Sequence, residues 1–171
     1  MKQPRKSSIG QDSQLRDRLI RERVHDPYKT RLKLKDPTVC PQCGAVYRSD
    51  RWTWDKLAPD EHPHEELCQA CHRINEEYPA GEVRLHGSFV QLHRDEIINL
   101  ARNMQKVETE EHPLHRIIGI NEEDGDILIT TTDIHLPRRI GQALSDAWEG
   151  DFDFHYDEEG YFISVNWSRD D

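Results

Sequence analysis

The stretch LCQACHR, residues 67–73, decides the fold of this chain, because its C-x-x-C-H string has two opposite interpretations. Such a string can attach a haem covalently, or it can supply half of a four-cysteine zinc site. The stretch VCPQCG, residues 39–44, holds a second C-x-x-C pair, and 24 residues separate the two pairs. Two such pairs place four thiolates around one ion, so the spacing predicts one structural Zn²⁺. The predicted ligands are Cys40, Cys43, Cys68 and Cys71.

The other interpretations of the cysteines explain less of the sequence. A haem would leave Cys40 and Cys43 without a role, and a thioredoxin-like redox site would need a clear β-α-β entry strand before its C-x-x-C. Four thiolates close the coordination shell, so no position remains for a nucleophilic water. We therefore expect the metal to stabilise the fold, with His72 as a neighbour of the site and not a ligand.

Charge is distributed unevenly along the chain, whose formal net charge is −10. The first 35 residues contain eleven Lys and Arg against four Asp and Glu, whereas the remaining residues contain 12 against 29. A basic arm on an acidic body is typical of contact with nucleic acid through the arm, although a solvated tail has the same composition. Leu15, Leu19 and Ile20 predict a short amphipathic helix within residues 12–24. The expected RNA contacts on this arm are Arg16, Arg18, Arg21, Arg23, Lys33 and Lys35.

Aromatic and basic residues alternate in the segment between the two cysteine pairs. Single-stranded RNA binders use such mixtures, because rings stack on bases and cations hold phosphates. The same aromatic residues can instead cover the metal site, since small zinc folds have little core. The candidate RNA contacts here are Arg48, Arg51, Trp52 and Trp54.

The second half of the chain predicts a different architecture. Segments with apolar alternation and segments with helical periodicity follow one another in the order β-α-β-β-α-β-β. This order indicates an antiparallel sheet with two helices on one face, a split β-α-β or ferredoxin-like fold. We expect an α+β chain in three parts: a basic arm at 1–35, partly disordered with a short helix, a four-cysteine zinc ribbon at 36–81 and an α+β domain at 82–171.

Two details of this domain are predicted from local patterns. The segment EVRLHGSFVQL, residues 82–92, reads as a strand or as a bent hairpin broken at Gly87. Residues 93–108 predict a helix with a periodic apolar face. The residues expected to point inward from that helix are Ile97, Leu100, Ala101, Met104 and Val107.

The combination of segments resembles a known family. A ribbon of the type VCPQCG…LCQACHR precedes GDILITTTDIHLPRRIGQAL and FDFHYDEEGYFISVNWSR, an order similar to the N-terminal part of the Nmd-type adaptors, named from nonsense-mediated decay. The resemblance covers roughly residues 38–169 and implies association with the large ribosomal subunit during its maturation or export. It carries over only the four cysteines, as metal ligands. Because that family generally has more C-x-x-C pairs, and its long members a further β-barrel domain, the resemblance implies a short, bacterial relative with one metal site.

Sequence motifs give little support to an enzyme. HNH-type nucleases share the LCQACHR pattern, but they need a ββα histidine and usually an asparagine between the cysteine pairs; this segment holds only His62 and His64, in an acidic loop. The chain contains no G-x-x-x-x-G-K-[ST], G-x-G-x-x-G or G-x-S-x-G, so we expect no nucleotide cofactor and no catalysis. Whether His112, His115 and His135 form a second metal site is left open.

The expected function is that of a non-catalytic adaptor with one structural Zn²⁺, bound to ribosomal RNA or to a ribosomal protein. No apolar run is long enough to span a membrane, and the first residues lack the apolar stretch of a secretory signal, so we expect a cytoplasmic protein. The alternative from another class is a protein–protein interaction module of a transcription or stress-response regulator, in which the acidic body binds a basic partner.

Overall fold

The computed structural model describes Tyr28 and residues 33–171. These residues form two sheets and four helices, which confirms the α+β class. The elements are β1 (Thr38–Val39), β2 (Val46–Arg48), β3 (Arg51–Thr53), β4 (His64–Glu65), α1 (Gln69–Glu76), β5 (Gly81–His86), α2 (Ser88–Leu92), α3 (Arg94–Glu111), β6 (Ile117–Glu123), β7 (Asp126–Thr131), α4 (Leu136–Trp148), β8 (Asp151–Tyr156) and β9 (Ile163–Ser168).

The first sheet is small and carries the first cysteine pair. Its strand order is β3-β2-β1-β4, with β1 antiparallel to β2 and parallel to β4. The hairpin between β2 and β3 turns at Ser49 and Asp50, whose φ angles of 54° and 65° are typical of a two-residue turn that matches the twist of the strands. Helix α1 follows this sheet and carries Cys71 in its first turn.

The second sheet has five strands in the order β6-β7-β5-β9-β8. Strand β7 is antiparallel to both of its neighbours, β6 and β5, and β8 is antiparallel to β9, but β9 runs parallel to β5. The prediction of an antiparallel sheet is therefore wrong at its centre. After α4 the chain enters the sheet at its far edge as β8, and the returning strand β9 inserts beside β5. Apolar alternation identifies the buried face of a strand but not the strand beside it.

One apolar core lies between this sheet and the helices α3 and α4. Alternate residues of β5, β7 and β9 point into it, while the opposite face of these strands carries polar side chains such as Glu82 and Arg84. The fully buried side chains of this core include Val83, Leu85, Ile97, Ile129, Leu136, Ile140, Leu144, Ile163, Val165 and Trp167. Packing of this extent fixes the sheet and both helices as one unit.

Two local expectations differ from the structure. Residues 88–92 form the short helix α2 instead of a strand, because the chain turns at Gly87, whose φ of 107° is unfavourable for other residues. On α3, Val107 is exposed and the neighbouring Glu108 is buried. Glu108 is held inside by Arg139 and His115, at 2.9 Å each, so a polar network replaces the apolar contact expected there. Among the described helices, none is long and apolar enough to cross a bilayer.

Candidate metal centre

The four cysteines converge on one point between the small sheet and α1. The Sγ atoms of Cys40 and Cys71 are 3.7 Å apart, those of Cys43 and Cys68 are 3.8 Å apart, and all four lie within 4.8 Å of one another. A tetrahedral ion with metal–sulfur bonds of about 2.3 Å separates its sulfur atoms by about 3.8 Å. The cluster therefore has the size and the donor set for one tetrahedral metal ion.

The first cysteine pair is shaped by a tight turn. Cys40 N–H donates to the carbonyl of Ala45 at 2.8 Å, and Gly44 N–H donates to the carbonyl of Cys40 at 2.9 Å. Gly44 has a φ of 82°, a conformation that other residues adopt only with strain. These two hydrogen bonds fold the chain so that both thiols of the pair point to the same side.

The second cysteine pair belongs to the start of a helix. Cys68 is the N-cap of α1, and its sulfur accepts a hydrogen bond from Cys71 N–H at 3.4 Å. Cys68 N–H donates in turn to the sulfur of Cys40 at 3.3 Å, which joins the two pairs directly. His72 lies beside the cluster but its ring stacks on Tyr28, with ring centroids 5.9 Å apart, so it is a neighbour of the site as expected.

Burial makes this a closed site. Cys40, Cys68 and Cys71 are fully inaccessible to solvent, and Cys43 is partly exposed. Trp52, Leu67 and Leu114 pack around the sulfurs as partly buried apolar neighbours. Four sulfurs around one ion would complete a tetrahedral shell in this setting.

Arg116 supplies a positive charge to the cluster. One guanidinium nitrogen, Nη2, donates to Cys68 Sγ and to Cys71 Sγ at 3.3 Å each. Burial lowers the pKa of Arg116, but the hydrogen bond to Cys71 and the nearby sulfurs raise it by more, so its net pKa is raised. A divalent ion with four thiolates carries a net charge of −2, and a half-buried arginine offsets part of it.

The same contacts favour a thiolate at Cys43. The contacts around Cys43, of which the hydrogen bond from Cys68 is the largest, together lower its pKa to about 4, and the nearby charge of Arg116 is one of the causes that lower it. Donating that hydrogen bond raises the pKa of Cys68, and burial raises the pKa of Cys71. Because thiolates are the ligands of a metal ion, metal binding at this site releases the protons that the thiols still carry.

Replacing Arg116 with methionine is expected to weaken metal retention by about 10- to 100-fold, the usual cost of removing a group that hydrogen-bonds to metal ligands. Methionine keeps most of the side-chain volume and removes the charge and the hydrogen bonds. Competition against a chelator of known zinc affinity measures the change. Arg84→Met is the matched control, since Arg84 is exposed on the second sheet and pairs only with Glu82 among the described residues. Equal zinc affinity in both variants and the parent chain would remove Arg116 from the site.

No sequence pattern predicts Arg116 as part of the centre. It lies 45 residues after Cys71, immediately before β6, and reaches the cluster only because the second sheet packs beside it. The contact thus joins the two halves of the structure at the metal centre. No family model, curated protein or solved structure matches the chain.

The aromatic candidates for RNA contact take part in the fold. Trp52 packs against the cysteine cluster, and its ring meets Tyr47 edge to face at 5.6 Å. Trp54 is 41% exposed, and its Nε1–H donates to the carbonyl of Thr109 on α3 at 2.7 Å. Both side chains therefore have a structural use, and Trp54 alone of the two presents a large exposed surface.

Two of the four basic candidates within the described residues are paired with carboxylates. Arg48 Nη2 contacts both carboxylate oxygens of Glu61, at 2.9 and 3.0 Å. The Lys33 ammonium contacts Asp50 at 3.0 Å. Lys35 and Arg51 are exposed. The other candidates, Arg16, Arg18, Arg21 and Arg23, and the predicted helix that carries them lie outside the described residues.

Three histidines meet on the other side of α3. The ring of His115 stacks on His112 at 4.7 Å and lies 5.4 Å from His135, and its Nδ1 is 2.9 Å from Glu108 Oε1. Within residues 33–171, however, only the four cysteines bring three or more ligand atoms together at metal-binding distance. His115 therefore links the neighbouring histidine rings to Glu108 through its hydrogen bond.

Proposed function

We propose that the cysteine cluster binds one Zn²⁺ and that this metal has a structural role. Zinc takes four thiolates in tetrahedral geometry, whereas magnesium and calcium prefer oxygen ligands. The sulfur–sulfur distances of 3.7 and 3.8 Å fit zinc–thiolate bonds. Thiolate ligands require reduced cysteines, as the cytoplasm provides.

The same proposal extends to the finer fold. The cysteine-bearing sheet with α1 is a four-cysteine zinc ribbon, and the second sheet is a variant of the split β-α-β arrangement. Strand β7 lies between β5 and β6, as that arrangement requires, and the insertion of β9 beside β5 is the departure from a ferredoxin-like sheet.

The chain itself is proposed to act as a non-catalytic adaptor that binds RNA. The observation that carries this proposal is the set of four buried or half-buried sulfurs. A metal ion with four sulfur ligands has no open position for water or substrate, so its role is to stabilise the fold that presents a binding surface. The basic first 35 residues supply the charge that phosphates attract, while Arg48 and Lys33 are balanced by carboxylates within the small sheet. Ribosomal RNA is the RNA class to which the resemblance to Nmd-type adaptors points.

A second candidate is a protein–protein module of a regulator. It is favoured by the structural use of two expected stacking platforms: Trp52 packs against the cysteine cluster, and Trp54 is bonded to Thr109 of α3. In this case the acidic body, with 29 Asp and Glu against 12 Lys and Arg after residue 35, binds a basic partner.

Changing Arg16, Arg18, Arg21 and Arg23 to glutamine tests the RNA proposal. Binding of a fluorescent single-stranded RNA and of purified ribosomal subunits is followed at several salt concentrations. If these arginines meet phosphates, affinity falls and the slope of log K against log salt decreases by roughly three, since each phosphate contact on a single strand contributes about 0.7.

The matched control changes four exposed arginines of the body to glutamine, at Arg84, Arg94, Arg102 and Arg138, and removes the same charge. Loss of binding in the arm variant alone supports RNA contact through the arm. Equal loss in both variants indicates nonspecific attraction. Retention of ribosomal binding after nuclease treatment favours the protein–protein module instead.

A further inference from the structure

Strand β8 is one of the two outer strands of the five-stranded sheet and carries a row of aromatic side chains. Phe152, Phe154 and Tyr156 alternate along it and so share one face. Phe154 is 39% exposed and Tyr156 is 40% exposed, and neighbouring rings lie 6.0 and 6.2 Å apart. An edge strand with exposed aromatic residues is a template for pairing with another strand.

Among the described residues no strand pairs with the outer edge of β8, and this edge presents the backbone of the aromatic residues. Beyond the end of the strand, Asp157 N–H donates to the carbonyl of Phe162 at 2.9 Å, on the β9 side. In an antiparallel pair, successive residues direct their N–H and C=O groups alternately to the two sides of the strand. Residues 153 and 155 therefore face β9 like Asp157, and residues 152, 154 and 156 direct their backbone groups to the open edge.

We propose that β8 pairs antiparallel with β8 of a second copy of this chain. The two sheets then join across a dyad at Phe154, whose backbone groups bond to those of Phe154 in the second copy. Phe152 lies opposite Tyr156 of the second copy, and Asp153 lies opposite His155 of the second copy. Aromatic side chains thus meet on one face, and a carboxylate meets an imidazole on the other.

This register is selected over its neighbours by the charges of β8. Only residues whose backbone groups point to the open edge can bond to each other across the dyad. The register can therefore shift only in steps of two residues. One shift places Asp153 opposite Asp153 of the second copy, and the other places His155 opposite His155. In the proposed register, the like charges that meet are those of Asp151 and Asp157 of the second copy. This pair lies just beyond the five paired residues, 152–156, and its repulsion limits the length of the pairing.

Arg138 of α4 holds the central ring in place for this contact. Its guanidinium lies 4.3 Å from the centroid of Phe154. Arg138 with His135, Gln142 and Phe152 lines an open groove of about 320 Å³ along the aromatic face. A five-residue strand pair with three aromatic residues a side is smaller than a standard interface, so the expected dissociation constant is micromolar.

The test is sedimentation equilibrium of the full chain at protein concentrations from about 1 to 500 μM. The parent chain is compared with variants that change the charged residues of β8. The parent chain is expected to dimerise, to about twice 20.2 kDa. His155→Asp places two carboxylates opposite each other at two symmetric positions and is expected to weaken dimerisation roughly tenfold. Asp153→His combined with His155→Asp exchanges the two residues, restores both opposite pairs and is expected to return the dissociation constant to the parent value.

His62→Asp makes the same substitution in an exposed loop of the first half and is the control for charge alone. A parent chain that stays monomeric at 500 μM overturns the proposal. So does a dimer that His155→Asp leaves unchanged, or one that the exchanged pair fails to restore while its circular dichroism matches that of the parent chain.

Discussion

Replacing Cys68 with serine is expected to abolish stable zinc binding and to unfold the cysteine-bearing half of the chain. Structural zinc sites supply about 10–16 kcal/mol in isolated zinc-finger peptides, so one thiolate of four accounts for roughly 3 kcal/mol and more than about 100-fold in affinity. Serine supplies a side-chain oxygen that can accept the N-cap hydrogen bond in place of the Cys68 sulfur, so α1 loses the metal ligand without losing its cap. Zinc per chain after dialysis against a chelator measures the effect.

His72→Gln is the control for this variant, because His72 neighbours Cys71 and is not part of the cluster. It is expected to keep one zinc per chain. In Cys68→Ser, amide hydrogen exchange is expected to become fast in residues 38–76 and to stay slow in β5, β7 and β9, whose core is separate from the cysteines. A Cys68→Ser chain that retains one zinc through dialysis contradicts the four-sulfur site.

Replacing Trp167 with alanine is expected to cost about 3–5 kcal/mol of the free energy of unfolding. Trp167 is fully buried in the apolar core between the five-stranded sheet and the helices α3 and α4, and its ring meets Phe89 edge to face at 6.1 Å. Its Nε1–H donates to the carbonyl of Glu149 at 2.8 Å, so the substitution also removes this hydrogen bond. Guanidinium unfolding followed by far-ultraviolet circular dichroism measures the loss.

Trp54→Ala is the matched control for that measurement. Trp54 is 41% exposed and makes one hydrogen bond, to Thr109, so its loss is expected to cost only about 1 kcal/mol. Similar costs for the two substitutions would mean that the core between the sheet, α3 and α4 is not the main source of stability.

Local sequence patterns predicted the elements better than their arrangement. Each cysteine pair is a C-x-x-C motif of four residues. Two such motifs are enough to infer that the four cysteines converge, without knowing the rest of the fold. Alternation along β7 and β9 identified the strands and their buried faces. The parallel pairing of β5 with β9 depends on contacts between residues about 80 positions apart, and no local sequence pattern predicts it.

The residues around the metal centre could not be predicted either, because they reach it through contacts between distant parts of the sequence. Arg116 reaches Cys68 across 48 residues, and its role depends on how the second sheet lies against α1. Glu108 is buried because Arg139 and His115 pair with it, whereas helical periodicity alone placed Val107 inside. Charged residues that are buried with a partner break the apolar pattern on which sequence prediction depends.

The account depends most on the identity and ligands of the metal, which X-ray absorption at the zinc edge measures directly on the purified full chain. We expect one zinc per chain with four sulfur neighbours at about 2.3 Å and no nitrogen or oxygen in the first shell. A shell that includes nitrogen or oxygen would show an open or histidine-containing site and contradict the structural role. Iron in place of zinc would contradict it as well, because four thiolates around iron form a redox centre.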